Sequence, residues 1–153
     1  MALKTAAAGS APADAPATGS PCACFGLRSL TRRVTQLYDE VLAPAGMTVT
    51  QFSLLAYARG RRLTVSELAR RLNTDRTTLT RNLKPLIAAG SVRLAPGDDA
   101  RRKTVLVTAA GEAAFQAARP LWKQAQAQLR ERAGPPRVAA LMALVDDILP
   151  RLR

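Results

Sequence analysis

Large apolar residues recur three and four positions apart along most of the chain, and the breaks in that rhythm divide it into elements. Leu27, Leu30, Val34, Leu37, Val41 and Leu42 lie on one such stripe, which predicts an amphipathic helix. Ser20 suits its N-cap and Pro21 its first turn, and Pro44-Ala45-Gly46 ends it. A second helix is expected from Thr50 to Ala58, with Phe52, Leu54 and Leu55 as its apolar residues. Thr64-Val65-Ser66-Glu67 has the form of a capping box, in which the Thr hydroxyl satisfies a backbone N–H and the Glu reaches back. It opens a short helix with Val65, Leu68, Ala69 and Leu72 inward, broken at Asn73-Thr74. Thr74 or Asp75 caps the next helix, which runs to Ala89 and stops at Gly90.

The pattern then changes. Ser91 to Ala95 and Lys103 to Val107 have strand character, and the polar stretch Pro96 to Arg102 between them predicts a β-hairpin. Two long helices follow, about Ala109 to Arg132 and Pro136 to Arg151, separated at Gly134-Pro135-Pro136. In the last, Val138, Leu141, Val145, Ile148 and Leu152 form a stripe suited to packing on another helix. Residues 1–20 carry almost no large apolar side chain and predict a disordered Ala/Pro-rich tail. The whole is a mainly α fold with a small β-hairpin wing: a winged helix-turn-helix over about 50–110 within one domain at 21–153.

Composition sharpens this. The 153 residues carry 23 Lys and Arg against 11 Asp and Glu, a formal charge of +12. That excess favours a polyanionic partner. The absence of His and the scarcity of acids argue against His-based acid–base catalysis and zinc hydrolysis, so no catalytic residue, metal site or cofactor is expected. No apolar run approaches the roughly 20 residues of a membrane span, and no secretory leader is recognisable. The expected setting is the cytoplasm, with no membrane partner.

The helix from Asp75 to Ala89 carries the candidate chemistry. At about 100° per residue, Leu79, Leu83, Leu86 and Ile87 cluster on one face, which predicts a core contact. Thr77, Arg81 and Lys84 project oppositely, flanked by Arg76, Thr78 and Thr80. This outer face offers hydrogen-bond donors and small methyl groups without a large hydrophobe, as a helix lying in the major groove requires. An ordinary solvated helix face is the plainer alternative, made less attractive by the adjoining basic hairpin. Pro85 predicts a bend within this helix. At the hairpin tip, Arg101 and Arg102 stand beside Asp98 and Asp99. An Arg there can enter a narrow minor groove, and a carboxylate can orient it.

From Cys24 to the C-terminus the chain resembles the MarR-type regulators. The resemblance is strongest over Thr64-Val65-Ser66-Glu67-Leu68-Ala69, Asp75 to Leu83 and Gly90, then Asp99-Ala100-Arg101 and Val105-Leu106-Val107-Thr108-Ala109-Ala110-Gly111. It implies a homodimer joined through helices at about 21–43 and 109–152. It also implies binding to double-stranded DNA at a pseudopalindromic operator, with Arg101 in the minor groove.

Cys22 and Cys24 are the only cysteines, and both lie in the first turn of the first helix. A helix N-terminus favours the oxidisable thiolate. Two positions apart on a helix, they point to opposite sides and cannot bridge each other without unwinding. Cys24-Phe25-Gly26-Leu27, with Tyr38 fourteen positions on, is similar to the stretch around the reactive cysteine of the peroxide-sensing OhrR branch. That similarity implies redox sensing at Cys24, supported by Cys22 and Tyr38. Val49 departs from the branch, which has a second tyrosine there, and no resolving cysteine occurs in the C-terminal helices. Two alternatives stay open: the cysteines are small half-buried structural residues, or two thiolates bind metal with ligands from another subunit. A small aromatic or phenolic effector is the other trigger. Trp122, Phe115, Tyr57 and Phe52 are candidates to line its pocket, although core packing explains them as well. The expected function is a DNA-binding repressor released by cysteine oxidation or by such a ligand. A nonspecific architectural DNA-binding protein is the rival reading, and an enzyme with a basic substrate channel has no residues to support it.

Overall fold

The computed structural model describes residues 22–97 and 102–152. The expected tail at 1–20, Pro21, and Asp98, Asp99 and Arg101 of the wing lie outside the described residues. The first helix begins at Ala23 and not at the expected Pro21, so Cys22 precedes it, its carbonyl accepting from Gly26 N at 3.2 Å, and only Cys24 lies in the first turn. The described chain falls into two units, one ending at Arg33 and the other beginning at Val34. The first helix, α1 (Ala23–Leu42), starts in one and ends in the other. In the first unit, Phe25, Leu27 and Leu30 are exposed, and so are Cys22 and Cys24. The expectation of half-buried cysteines is therefore not met within one chain.

In the second unit α1 ends in buried Tyr38 and Leu42, and a 3-10 turn (Ala43–Ala45) closes on Gly46 at φ 62°. The second helix, α2 (Val49–Ala58), starts one residue before the expected Thr50. Two caps cause this. Thr48 and Gln51 form a capping box, with Thr48 N donating to Gln51 Oε1 at 2.9 Å. Asp39 Oδ1 accepts a further hydrogen bond from Val49 N at 2.6 Å, tying α2 to α1. Each satisfies a backbone N–H that a helix start leaves without an intrahelical partner.

The predicted helix-turn-helix follows. α3 (Val65–Arg71) starts from the Thr64/Glu67 capping box, and α4 (Arg76–Ala88) from Asp75, whose Oδ1 accepts from Thr78 N at 2.8 Å. Helix α4 continues through Pro85. Leu79, Leu83 and Leu86 are buried as expected, but Ile87 is 37% exposed. Leu86, one position earlier, occupies the inward direction, and Ile87 falls in the helix's last turn at the rim of the core.

The hairpin is present as β2 (Val92–Pro96) and β3 (Lys103–Val107). Pro96, expected in the turn, is in register with Lys103. A third strand, β1 (Leu63–Thr64), pairs antiparallel with the other side of β3, giving the order β1-β3-β2. Helix α5 (Ala109–Ala133) passes through Pro120, and α6 (Pro135–Ile148) begins one residue before the expected Pro136. A 3-10 turn (Leu149–Leu152) replaces the expected last α-helical turn.

One core joins these elements. Leu42, Leu55, Leu68, Leu79, Leu83 and Val105 are its most fully buried large side chains. Phe52 of α2 stacks on Phe115 and Trp122 of α5, with ring centroids 4.8 and 5.5 Å away. Arg59 at the end of α2 pairs through two nitrogens with the Glu112 carboxylate, the Nε–Oε2 distance being 3.0 Å, and lies 4.4 Å above the Phe115 ring. The Arg59 hydrogen bond holds the Glu112 carboxyl below its ordinary pKa. By contrast, α6 has no buried residue: Val138, Leu141 and Val145 are half-buried, while Met142, Leu144, Ile148, Leu149 and Leu152 are exposed.

Candidate nucleic-acid interface

The candidate contact face is built from three local decisions of the chain. Asp75 fixes where α4 starts, and hydrogen bonds from Thr78 hold its carboxyl below its ordinary pKa. The buried Leu79, Leu83 and Leu86 fix the rotation of α4. The three-stranded sheet fixes the wing beside it, since Leu63 of β1 is in register with Val105 of β3.

With that rotation, Arg76, Thr77, Thr80, Arg81 and Lys84 are exposed, and Thr78 is half-buried. Arg81 and Lys84 are cationic donors. Thr80 Oγ1 donates to Arg76 O at 2.8 Å, so its proton is used inside the helix while its methyl and remaining lone pair stay available. Thr77 carries a second methyl and hydroxyl. From Arg76 to Lys84 the exposed side has no large hydrophobe, Ile87 being exposed only in the last turn, and Arg81 follows directly on the exposed Thr80.

At the wing, Arg102 is exposed and its carbonyl accepts from Gly97 N at 2.7 Å, closing the described end of the hairpin. Of the six expected residues of α4, Arg76 shares a cleft with Arg102 of the wing, and the other five lie further along α4; Asp99 and Arg101 lie outside the described residues.

Residues not singled out from sequence also converge here. Ser66 and Arg70 of α3 and Lys103 of β3 line a polar cleft with Arg76 and Arg102. Only the unexpected strand β1 brings the start of α3 beside Lys103, because Thr64 is in register with Thr104. A two-residue strand has no periodicity to detect, although the basic residues were visible as such.

The expected redox group separates by environment. Tyr38 is buried, and burial raises its phenol pKa, partly offset by the charge of Arg130. Cys22 and Cys24 are exposed at the start of α1. Of the four candidate pocket aromatics, Phe52 and Phe115 are buried and Trp122 is half-buried in their stack, which makes them core. Tyr57, 47% exposed, instead lines a cavity of about 400 Å³ between α2 and the α3–α4 turn, with Leu54, Leu72, Leu79, Arg71 and Asn82. Among the described residues no cluster of His, Cys, Asp and Glu is arranged to hold a metal ion. No single described helix is long and apolar enough to cross a membrane.

Comparison with known proteins places this geometry. A family model described as MarR family matches residues 45–103. The M. tuberculosis transcriptional regulator MosR, solved in complex with DNA, is 44% identical; the match covers 86% of this chain and 98% of that one, with a TM-score of 0.75. A second crystal structure of MosR is 41% identical over 86% and 97% of the two chains, with a TM-score of 0.71. A mutant of E. coli MarR complexed with operator DNA is 28% identical over 83% and 93%, with a TM-score of 0.74. No curated protein matches the chain in sequence. Identity of this extent over nearly the full length of a solved regulator, on the same winged helix-turn-helix, shows that the chain belongs to the MarR family, whose members are DNA-binding transcription regulators and not enzymes.

Proposed function

We propose that the chain is a homodimeric, sequence-specific repressor that binds a pseudopalindromic operator in the cytoplasm, with α4 in the major groove and Arg101 of the wing in the minor groove. The carrying observation is the outer face of α4: Arg76, Thr77, Thr80, Arg81 and Lys84 are exposed together while Leu79, Leu83 and Leu86 are buried behind them. MosR and MarR, its relatives, were both solved with DNA. Within this reading Arg81 and Lys84 contact base edges or phosphates, the threonine methyls meet thymine methyls, and Asp99 orients Arg101.

Arg81→Ala is the direct test. Operator affinity should fall by about 1–3 kcal/mol, with relaxed preference at one base pair, if Arg81 reads a guanine edge. Affinity for random duplex should change much less. Equal losses on both DNAs would assign Arg81 to a phosphate and remove it from sequence reading. A wild type with no preference for any duplex at fixed salt would make the protein an architectural binder instead.

The proposed release mechanism is oxidation of Cys24. Both cysteines are exposed at the start of α1, the helix that continues into the core through Tyr38. A hydroperoxide would transfer an oxygen atom to the Cys24 thiolate and leave as the alcohol; the resulting sulfenic acid condenses with a small thiol, or with Cys22 across the dimer, releasing water. Mild hydroperoxide should release wild-type protein from DNA, reversibly with thiol, and leave Cys24→Ser bound. Equal release of Cys24→Ser would remove the cysteine from the mechanism.

A second trigger is favoured by one observation, the cavity beneath Tyr57. Apolar Leu54, Leu72 and Leu79 with Arg71 and Asn82 at its edge suit a small aromatic or phenolic effector. Occupancy there would press on α2 and on the first turns of α4 together. Calorimetric titration with simple phenols and aromatic acids, repeated on Tyr57→Ala, discriminates this trigger from the cysteine.

A further inference from the structure

We infer that Arg59 and Glu112 are positioning residues for DNA binding: their forked ion pair sets the angle at which the winged helix-turn-helix is carried on α5, and with it the half-site spacing that a dimer accepts. The inference rests on the dimeric DNA-binding reading above. Neither residue belongs to the candidate contact face.

The first turn of α5 is where several elements of the second unit meet. Thr108, its N-cap, holds the chain just past the end of α4, with Oγ1 donating to Gly90 O at 2.6 Å and N donating to Ser91 O at 3.1 Å. One turn further on, the Glu112 carboxylate accepts from Arg59, the C-cap residue of α2, through Nε at 3.0 Å and also through Nη2. Gln116 Nε2, on the next turn of α5, donates to the same carboxylate at 2.8 Å. The Arg59 guanidinium lies 4.4 Å above the Phe115 ring. Helix α5 therefore grips the end of α4 through backbone carbonyls and the end of α2 through one side-chain fork.

What the fork adds is direction. Behind it, Phe52 of α2 stacks on Phe115 and Trp122 of α5 with interplanar angles of 20° and 16°. Near-parallel rings oppose separation more than sliding, because apolar burial is non-directional. A two-point guanidinium–carboxylate bond is specific in distance and in angle, so it removes the sliding freedom that the stack leaves. The two side chains are 36% and 42% exposed, and a pair so open to solvent contributes little to folding stability. Its geometric effect is larger. Helix α5 has 25 residues. At about 1.5 Å per residue it is roughly 37 Å long, so a rotation of about 5° at its first turn moves its far end by about 3 Å. That is close to the rise of one base pair, about 3.4 Å. The far end leads into α6, whose Met142, Leu144 and Ile148 are exposed.

The test first selects a preferred duplex from random sequence with full-length wild type. Affinities at equal salt are then measured for that duplex, for the same duplex with one or two base pairs inserted between its half-sites, and for a random duplex. The proteins are wild type, Arg59→Lys, Glu112→Gln and the double variant. Arg59→Lys keeps the charge and loses the fork, whereas Glu112→Gln keeps the shape and loses the charge. In each, the preference for the selected spacing over the inserted ones should fall by about 2- to 30-fold. Random-duplex affinity should hold, and the thermal midpoint should move by no more than a few degrees. The double variant should lose no more than either single one, because all three break the same contact. Unchanged spacing preference in both single variants would overturn the inference, as would losses that add in the double variant. Weaker binding that tracks a lowered thermal midpoint, at unchanged spacing preference, would make the pair a stability contact only and overturn it too. A wild type that selects no preferred duplex would defeat the DNA-binding reading itself, an outcome distinct from all of these.

Discussion

Replacing Gly111 by alanine should cost about 3 kcal/mol or more of folding stability, in a domain whose total is about 5–15 kcal/mol. The cause is a close approach of two backbone segments. A Cβ on Gly111 would overlap Ser91 O and lie 2.8 Å from Ser91 C, with Val107 Cγ1 at 2.9 Å. Side chains can rotate away from an intruding methyl, but a carbonyl held in place cannot. Ser91 O accepts from Thr108 N at 3.1 Å, and Thr108 Oγ1 both donates to Gly90 O at 2.6 Å and accepts from Gly111 N at 3.1 Å. These bonds lock the end of α4, the end of β3 and the start of α5 to one another. The added methyl must break that lock or displace α5. Gly26→Ala is the matched control, because nothing lies within 4 Å of a Cβ there and its helical position favours alanine. Urea unfolding at equal m-values measures both. A Gly111→Ala midpoint equal to wild type would mean that the close approach to Ser91 is not a constraint on the fold.

The same corner shows which parts of this protein can be read along the chain. Val105-Leu106-Val107-Thr108-Ala109-Ala110-Gly111 stands out in the sequence as a signature, yet its physical content is an approach of Gly111 to Ser91, in a distant part of the chain. Local signals translated faithfully: Thr64 and Glu67 do form a capping box, Asp75 does start α4, and Leu79 and Leu83 do bury. Each of those is decided within a turn or two of chain. What escaped depends on partners distant in sequence. Asp39 caps α2 from 10 positions away, Arg59 pairs with Glu112 across 53 positions, and β1 exists because β3 offers it an edge. Ile87 obeys helical spacing but exceeds the width of the core, which only packing defines. The candidate site divides likewise. The exposed side of α4 follows from periodicity, whereas the cleft joining Arg70 to Lys103 needs the sheet.

Charging the exposed face of the last helix should have the largest effect on DNA binding. With Leu144→Glu and Leu152→Glu together, the protein should become a monomer and lose operator affinity by about 10²- to 10⁴-fold, the advantage that linking two half-site interactions confers. Leu144 is 58% and Leu152 78% exposed in the single chain, with Met142, Ile148 and Leu149 exposed nearby. An apolar cluster of this kind at one end of a basic chain marks an interaction surface. A two-fold operator demands a two-fold protein, so a second copy of the same chain is the occupant that the proposed function requires. Phe25, Leu27 and Leu30 in the other unit are exposed as well. Because Leu144 and Leu152 contribute nothing to the core of one chain, their charged replacements should leave helix content unchanged while repelling across the interface. Light scattering gives the mass and a gel or fluorescence titration gives the affinity. A double variant that stays dimeric and binds normally would move the interface off this face. A wild type that is monomeric at micromolar concentration and still binds its operator would sink the dimer altogether. The intermediate outcome is the most informative: a monomer that retains weak, salt-sensitive binding to any duplex would separate what one copy of α4 and its wing contribute from what the pairing of two adds.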